Sequence, residues 1–228
     1  MTMTTPRRVP RSFGRLTLRA TAVAATVALV VGLAEQTAQS SFTAVTADGG
    51  NKVTAAADFC GSTPASVVTA SADTSVAQAR DDSTAWNLTS MYVWAKNADN
   101  VRALVKFALP SRPTGCVLTG ATLEVYNAVP QTGRVIEVWR LDPATSWTEA
   151  GVRWATVPAT AGAAATSTTT ATVGWQNWTV TSQVAAQYAN GNNGLLLKDA
   201  VETGVGSTMQ TYSSREGTQP PKLTLTWG

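Results

Sequence analysis

Residues 101–128 read VRALVKFALPSRPTGCVLTGATLEVYNA. Two strand-like runs, VRALVKFAL and CVLTGATLEVYNA, are parted by Pro110-Ser-Arg-Pro113. In the first, alternation puts Ala103, Val105 and Phe107 on one face and Arg102, Leu104 and Lys106 on the other, the period of two that a strand imposes. The same pattern recurs in both directions from this stretch. SVVTA and MYVWA precede it, and RVIEVWRL, TATVGWQNWTV, NGLLLKD, TMQTYS and KLTLTWG follow. Gly120, Gly133, Pro143, Pro158 and Pro220-Pro221 supply further breaks. Many short strands at close spacing predict an all-β fold, an antiparallel β-sandwich. One helix is expected in TSQVAAQYANG, residues 181–191, with Thr181 or Ser182 as N-cap, Val184, Ala185 and Tyr188 at helical spacing, and Gly191 as the stop. The run ATAGAAATSTTTA, residues 159–171, is low in complexity and reads as a long surface loop.

Composition narrows the chemistry. The 228 residues contain no histidine, which removes the commonest general base and the usual zinc ligand. Charged residues make up 14%, against about 25% in ordinary soluble domains. Arg7, Arg8, Arg11, Arg15 and Arg19 precede the apolar run ATAVAATVALVVGLA, residues 20–34, the pattern of a secretory signal. That run is too short for a comfortable membrane span. Residues 1–40 are therefore expected to be a signal peptide, 41–59 a flexible arm and 60–228 the β-sandwich. Removing 1–40 leaves 12 of the 17 basic and 13 of the 14 acidic side chains, a net charge of −1, so the basic pI is no argument for nucleic-acid binding. Export also suits the two cysteines, Cys60 and Cys116, which are expected to form a disulfide. The protein is thus expected to be extracellular, released or held at the cell wall.

Several motifs occur in a fixed order: ADTSV (residues 72–76), MYVW, RALVKFALP, PTGCVLTGATLEVYNA, SWTEAGVRWATVPAT, WQNWTVTSQVAAQYANGNNGLLLKDA, YSSRE and PPKLTLTW. Across residues 60–228 this order resembles the DNRLRE domain, grouped with the family 96 carbohydrate-binding modules. The arm, with Phe42-Thr43 and Gly50-Asn51-x-Val53-Thr54, resembles the opening of secreted actinobacterial proteins. The resemblance implies a jelly-roll-like β-sandwich on secreted or cell-surface bacterial proteins. Some such relatives are attached to polysaccharide lyases and bind acidic polysaccharides such as alginate, and others are wall-associated. The signature residues fall on Asp73, Arg102, Leu104, Arg215 and Glu216. The signature asparagine departs from the pattern, because Thr84 and Trp86 stand where relatives have N-x-G, with Asn87 beside them.

Asp73, Arg102, Arg215 and Glu216 read either as a cluster for an acidic sugar or as mutual ion pairs. Their balance of two against two favours mutual pairing. In MYVWA, alternation sends Met91, Val93 and Ala95 inward and leaves Tyr92 and Trp94 outward as candidate glycan platforms. Trp139 in RVIEVWRL is a third outward aromatic, and Lys106 is placed to reach a carboxylated sugar. Trp178 and Trp227 read as core. In SWTEAGVRW, residues 146–154, Trp147, Glu149 and Trp154 read as a fold clasp, with Gly151 at its turn. Acids are scattered and no nucleophile motif or phosphate loop occurs, so no catalysis is expected. No cofactor or metal is expected. Calcium has one candidate position, the doublet Asp81-Asp82, which reads more simply as a solvated turn. Two functions remain open: a secreted, non-catalytic module with a polysaccharide as partner, and a structural surface or matrix protein working through protein contacts and self-association.

Overall fold

The structure is a computed structural model and describes residues 60, 65–80, 88–203 and 206–228. The expected signal peptide (1–40), the arm (41–59) and the Asp81-Asp82 doublet lie outside the described residues. The described strands are β1 (Ser66–Ala77), β2 (Ser90–Ala95), β3 (Val101–Phe107), β4 (Leu118–Val129), β5 (Val135–Leu141), β6 (Thr160–Thr168), β7 (Gly174–Thr179), β8 (Leu195–Asp199), β9 (Thr208–Ser213) and β10 (Lys222–Trp227). One α-helix, α1 (Thr181–Asn190), follows β7.

The pairing is antiparallel throughout, in the order β1-β10-β4-β9-β2-β3-β8-β5-β6, with β7 beside β4. Where a plain sandwich was expected, β1 closes the sheet into a barrel. Its first residues, Ser66–Thr69, pair with β10, and after a register shift between Ala70 and Ala72 the rest pairs with β3. A bulge bends a strand and lets it switch partners. The switch closes β1, β10, β4, β9, β2 and β3 into a six-stranded ring. β8, β5 and β6 extend one side of this ring and β7 the other.

The core follows from the alternation. Met91, Val93 and Ala95 of β2 and Ala103, Val105 and Phe107 of β3 are buried. All of these but Ala95 share one cluster with Leu123 and Val125 of β4, Ile136 and Val138 of β5, and Leu223 and Leu225 of β10. Trp178 fills the centre, donating its indole N–H to the Ile136 carbonyl at 2.9 Å and meeting Tyr212 edge-on at 6.3 Å. Cys60 and Cys116 form a disulfide across 56 residues, with Cys116 inside the core. Reduction with a thiol is expected to lower the unfolding free energy by about 2–4 kcal/mol. Paired denaturant curves with and without reductant measure it, and superimposable curves would refute it.

Two expectations are corrected. The stretch 159–171 is not a long loop, because Thr160–Thr168 forms β6 and pairs with β5. Its Ala, Thr, Ser and Gly residues show no apolar alternation, and the strand is held by its backbone ladder to β5. Gly162, at φ +79°, sits where the β5–β6 register shifts, a conformation glycine adopts without strain. The N-cap of α1 is Val180, not Thr181 or Ser182. The Thr181 hydroxyl accepts the Ala121 N–H at 3.0 Å, so it is tied to β4 and not to its own helix. The C-terminal stop is Gly191, at φ +109°. Tyr188 pins the helix by donating to the Pro110 carbonyl at 2.9 Å and packing edge-on against Trp227.

Candidate functional site

A second apolar cluster lies on the outer face of β1, β3, β8 and β5. Val76, Leu104, Leu141, Trp147, Val152 and Leu196 form it, with Trp139 and Trp154 at its margin. The connection between β5 and β6, which carries SWTEAGVRW, supplies its cover. Trp147 is 7% exposed and donates its indole N–H to the Asn193 carbonyl at 2.7 Å. Asn193 in turn donates to the Asp142 and Thr145 carbonyls, fixing the start of the same connection. The Gly151 and Val152 N–H groups both reach the Thr148 carbonyl, and a Cβ at Gly151 would stand 2.6 Å from the Thr148 hydroxyl. Glu149 accepts the Asp73 N–H at 2.7 Å and takes Arg215 with both oxygens, at 2.7 and 3.1 Å. SWTEAGVRW thus joins the β5–β6 connection to β1 and to the segment after β9.

The signature charges do not pair among themselves as a set of four. Arg102 makes a two-point pair with Glu202, at 2.8 and 2.6 Å, and its guanidinium lies 4.2 Å from the Trp154 ring centroid. Arg215 pairs with Glu149 and Glu216. Register explains the separation of Asp73 from Arg102. Val76 stands opposite Arg102 and Asp73 opposite Val105, three residues or roughly 10 Å further along the strands. Asp73 instead accepts the Arg215 backbone N–H at 2.6 Å. Its side chain is buried, and burial pushes its carboxyl up to about 7. The Arg215 N–H opposes that rise, and the Glu216 and Glu149 charges add to it.

The four outward candidates are not gathered into one site. Tyr92 and Trp94 are half-buried on β2, facing away from the core. The Trp94 indole N–H donates to the Ser207 hydroxyl at 2.9 Å, and the Lys96 ammonium stands 4.8 Å from its ring centroid. Trp139 donates to Glu137 at 2.8 Å, and Glu137 pairs with Lys198. Lys106 does not extend freely toward a ligand. Its ammonium lies 4.8 Å from the Trp147 ring centroid, and burial lowers its pKa. Trp139 thus packs at the margin of the loop-covered cluster and Lys106 lies over its Trp147 ring, contacts that strand alternation alone does not show.

A different place has the form of a ligand site. Edge strands β6 and β7 bound a cleft of about 270 Å³ at the end of β4. Asn127, Ser167, Thr168, Trp175, Gln176 and Asn177 are among its walls, and every lining residue is uncharged. Half-buried Trp175 is among the residues at its rim; its indole meets Tyr126 edge-on at 5.6 Å and carries the Lys222 ammonium 4.2 Å from its centroid. Tyr126 and Trp175 share one face of the β4–β7 pair, whereas Asn127 and Gln176 line the cleft from the opposite, core-side face. At the back, Asn127 is 3% exposed and donates to Gln210 at 2.9 Å. Its Oδ1 has no hydrogen-bond partner among the described residues. An orphaned buried acceptor costs about 1–3 kcal/mol, a cost that a ligand hydroxyl would remove. Gln176 accepts from the Tyr212 hydroxyl at 2.7 Å, which orients its amide.

Trp175 was not among the candidate residues, although alternation carries a signal for it. Once Trp178 is assigned to the core, alternation sends Trp175 and Asn177 outward. Among the described residues no group of three or more His, Cys, Asp or Glu side chains could hold a metal ion. No described helix is long and apolar enough to cross a membrane. The family model of carbohydrate-binding module family 96 matches residues 64–227. No curated protein matches the chain.

Proposed function

The chain belongs to carbohydrate-binding module family 96, and from that premise we propose that it is an extracellular, non-catalytic module that holds a polysaccharide in the cleft between β6 and β7. One observation carries the assignment: an uncharged cleft lined by amides and hydroxyls, with Trp175 at its rim and a buried amide oxygen left without a partner. A sugar ring offers a rim of hydroxyls to bond amides and hydroxyls, which this lining supplies, and a C–H face suited to an aromatic residue at the rim. A matrix role through protein contacts has one observation in its favour. β6 ends the strand order, and an unpaired sheet edge is a template for pairing with another chain.

A glycan array together with sedimentation over a range of protein concentrations separates the two readings. The glycan reading expects binding by a monomer, and concentration-dependent association with no glycan signal would refute it. Trp175→Ala is expected to weaken binding about tenfold or more, equivalent to about 1.4 kcal/mol. Trp94→Ala, on β2, is the comparison. Should Trp94→Ala abolish binding while Trp175→Ala retains it, the site lies on β2 and the cleft assignment falls.

A further inference from the structure

Arg102, Arg134 and Arg215 each hold a carboxylate at two points. Arg140, near the end of β5, does not. No ion pair among the described residues includes it, and its Nη1 is buried without a hydrogen-bond partner there. Period two carries Arg140 to the side of β5 that Ile136 and Val138 present to the core. On that side it lines a pocket of about 150 Å³, together with Ala161, Gly162 and Ala163 of β6 and Ser182, Gln183 and Ala186 of α1. Register explains why a pocket opens at this point. From Val138 to Arg140 β5 advances two residues, while β6 opposite advances four, from Ala165 to Ala161. The surplus bulges at Gly162, whose φ is +79°, and the bulge forms one side of the pocket.

We infer that this pocket is a binding site for a carboxylate group, held by the Arg140 guanidinium. It shares no lining residue with the cleft between β6 and β7, so the inference stands apart from the reading of that cleft. Arg140 is the one charged residue in the lining. The polar side chains beside it are already engaged. The Ser182 hydroxyl donates to Gln183 at 2.9 Å, and Gln183 donates to the Ala163 carbonyl at 2.8 Å. Unused donors in the lining side chains therefore sit on the guanidinium. A buried donor without an acceptor is unfavourable, and a bound acceptor removes that cost. A carboxylate suits the position because it is planar, carries one charge and matches the guanidinium fork with two oxygens. A phosphate dianion would bring a second negative charge with no further lining cation to offset it. The pocket has the room of about five waters at roughly 30 Å³ each, enough for a carboxylate and the few atoms that carry it.

Titration of the nitrogen-15-labelled protein, followed at the Arg140 Nε–H resonance and the Ala161 and Ala163 amides, tests this. The probes are acetate, glucuronate and phosphate, with chloride at matched ionic strength as the blank. Acetate and glucuronate are expected to shift these resonances saturably, and chloride is not. Tighter binding of glucuronate identifies a sugar acid as the carrier of the group, and equal affinities identify a simple organic acid; both outcomes support the site. Arg140→Gln is expected to weaken carboxylate binding at least about tenfold, read at the two amides. Ala186→Leu fills the pocket from the α1 side and leaves Arg140 in place, and it should weaken binding to the same extent. Should Arg140→Gln fail to fold, the wild-type titration and Ala186→Leu still decide. Carboxylate shifts no larger than those of chloride, wild-type affinity in either folded variant, or phosphate binding more tightly than both carboxylates would each overturn the site.

Discussion

Trp147→Ala is expected to lower the free energy of unfolding by about 3–5 kcal/mol. The indole is 7% exposed and fills the cluster formed by Val76, Leu104, Leu141, Val152 and Leu196. Its removal opens a cavity on the outer face of the sheet and leaves the Asn193 carbonyl without its donor. It also strips the ring from beneath the Lys106 ammonium. The connection from β5 to β6 would lose its anchor, and with it the support that Glu149 gives to β1 and Arg215. Urea unfolding of the wild type and variant measures the loss. A change below about 1 kcal/mol, the usual range of a surface substitution, would show that the clasp carries little of the stability.

Acidification from pH 8 to pH 5 is expected to stabilise the protein through Asp73. In the unfolded chain this carboxyl titrates near its ordinary value of 3.8, and in the folded protein burial, reinforced by Glu216 and Glu149, raises it to about 7. Between those values the native state holds a proton that the unfolded state has released. Stability from this group is therefore fully present below about pH 4 and is lost as pH rises through 7. A shift of that size corresponds to roughly 4 kcal/mol as an upper bound. Asp73→Asn keeps an acceptor for the Arg215 N–H and removes the charge. The variant should be more stable than the wild type at pH 8, with the advantage shrinking toward pH 5. Parallel unfolding curves across this range for the two proteins, with a constant difference between them, would refute the assignment.

The strands and the main core were legible because burial on one face of a strand imposes period two. MYVWA and VRALVKF display that period openly, and their inward sets, Met91-Val93-Ala95 and Ala103-Val105-Phe107, are the buried ones. β6 was not legible, because TAGAAATST has no large apolar residues to mark a face and is held by ladder bonds to β5. The charge pairs were only half legible. That Arg215 would meet a carboxylate follows from its type, but Glu149 lies 66 residues away and only packing brings the two together. Arg102 with Glu202 and Arg134 with Asp199 likewise span 100 and 65 residues.

By itself the sequence determined the antiparallel all-β class, the helix after β7, the disulfide and which side chains turn inward. These depend on local period, turn residues and a single cysteine pair. Only the tertiary structure decided which outward aromatics are covered. Trp139 shares a face with Lys106 and Leu104 under the connection that carries Trp147, whereas Trp175 stands at a cleft between two sheet edges. Alternation reports the side of the sheet to which a residue points, but its exposure there depends on distant segments folding over it.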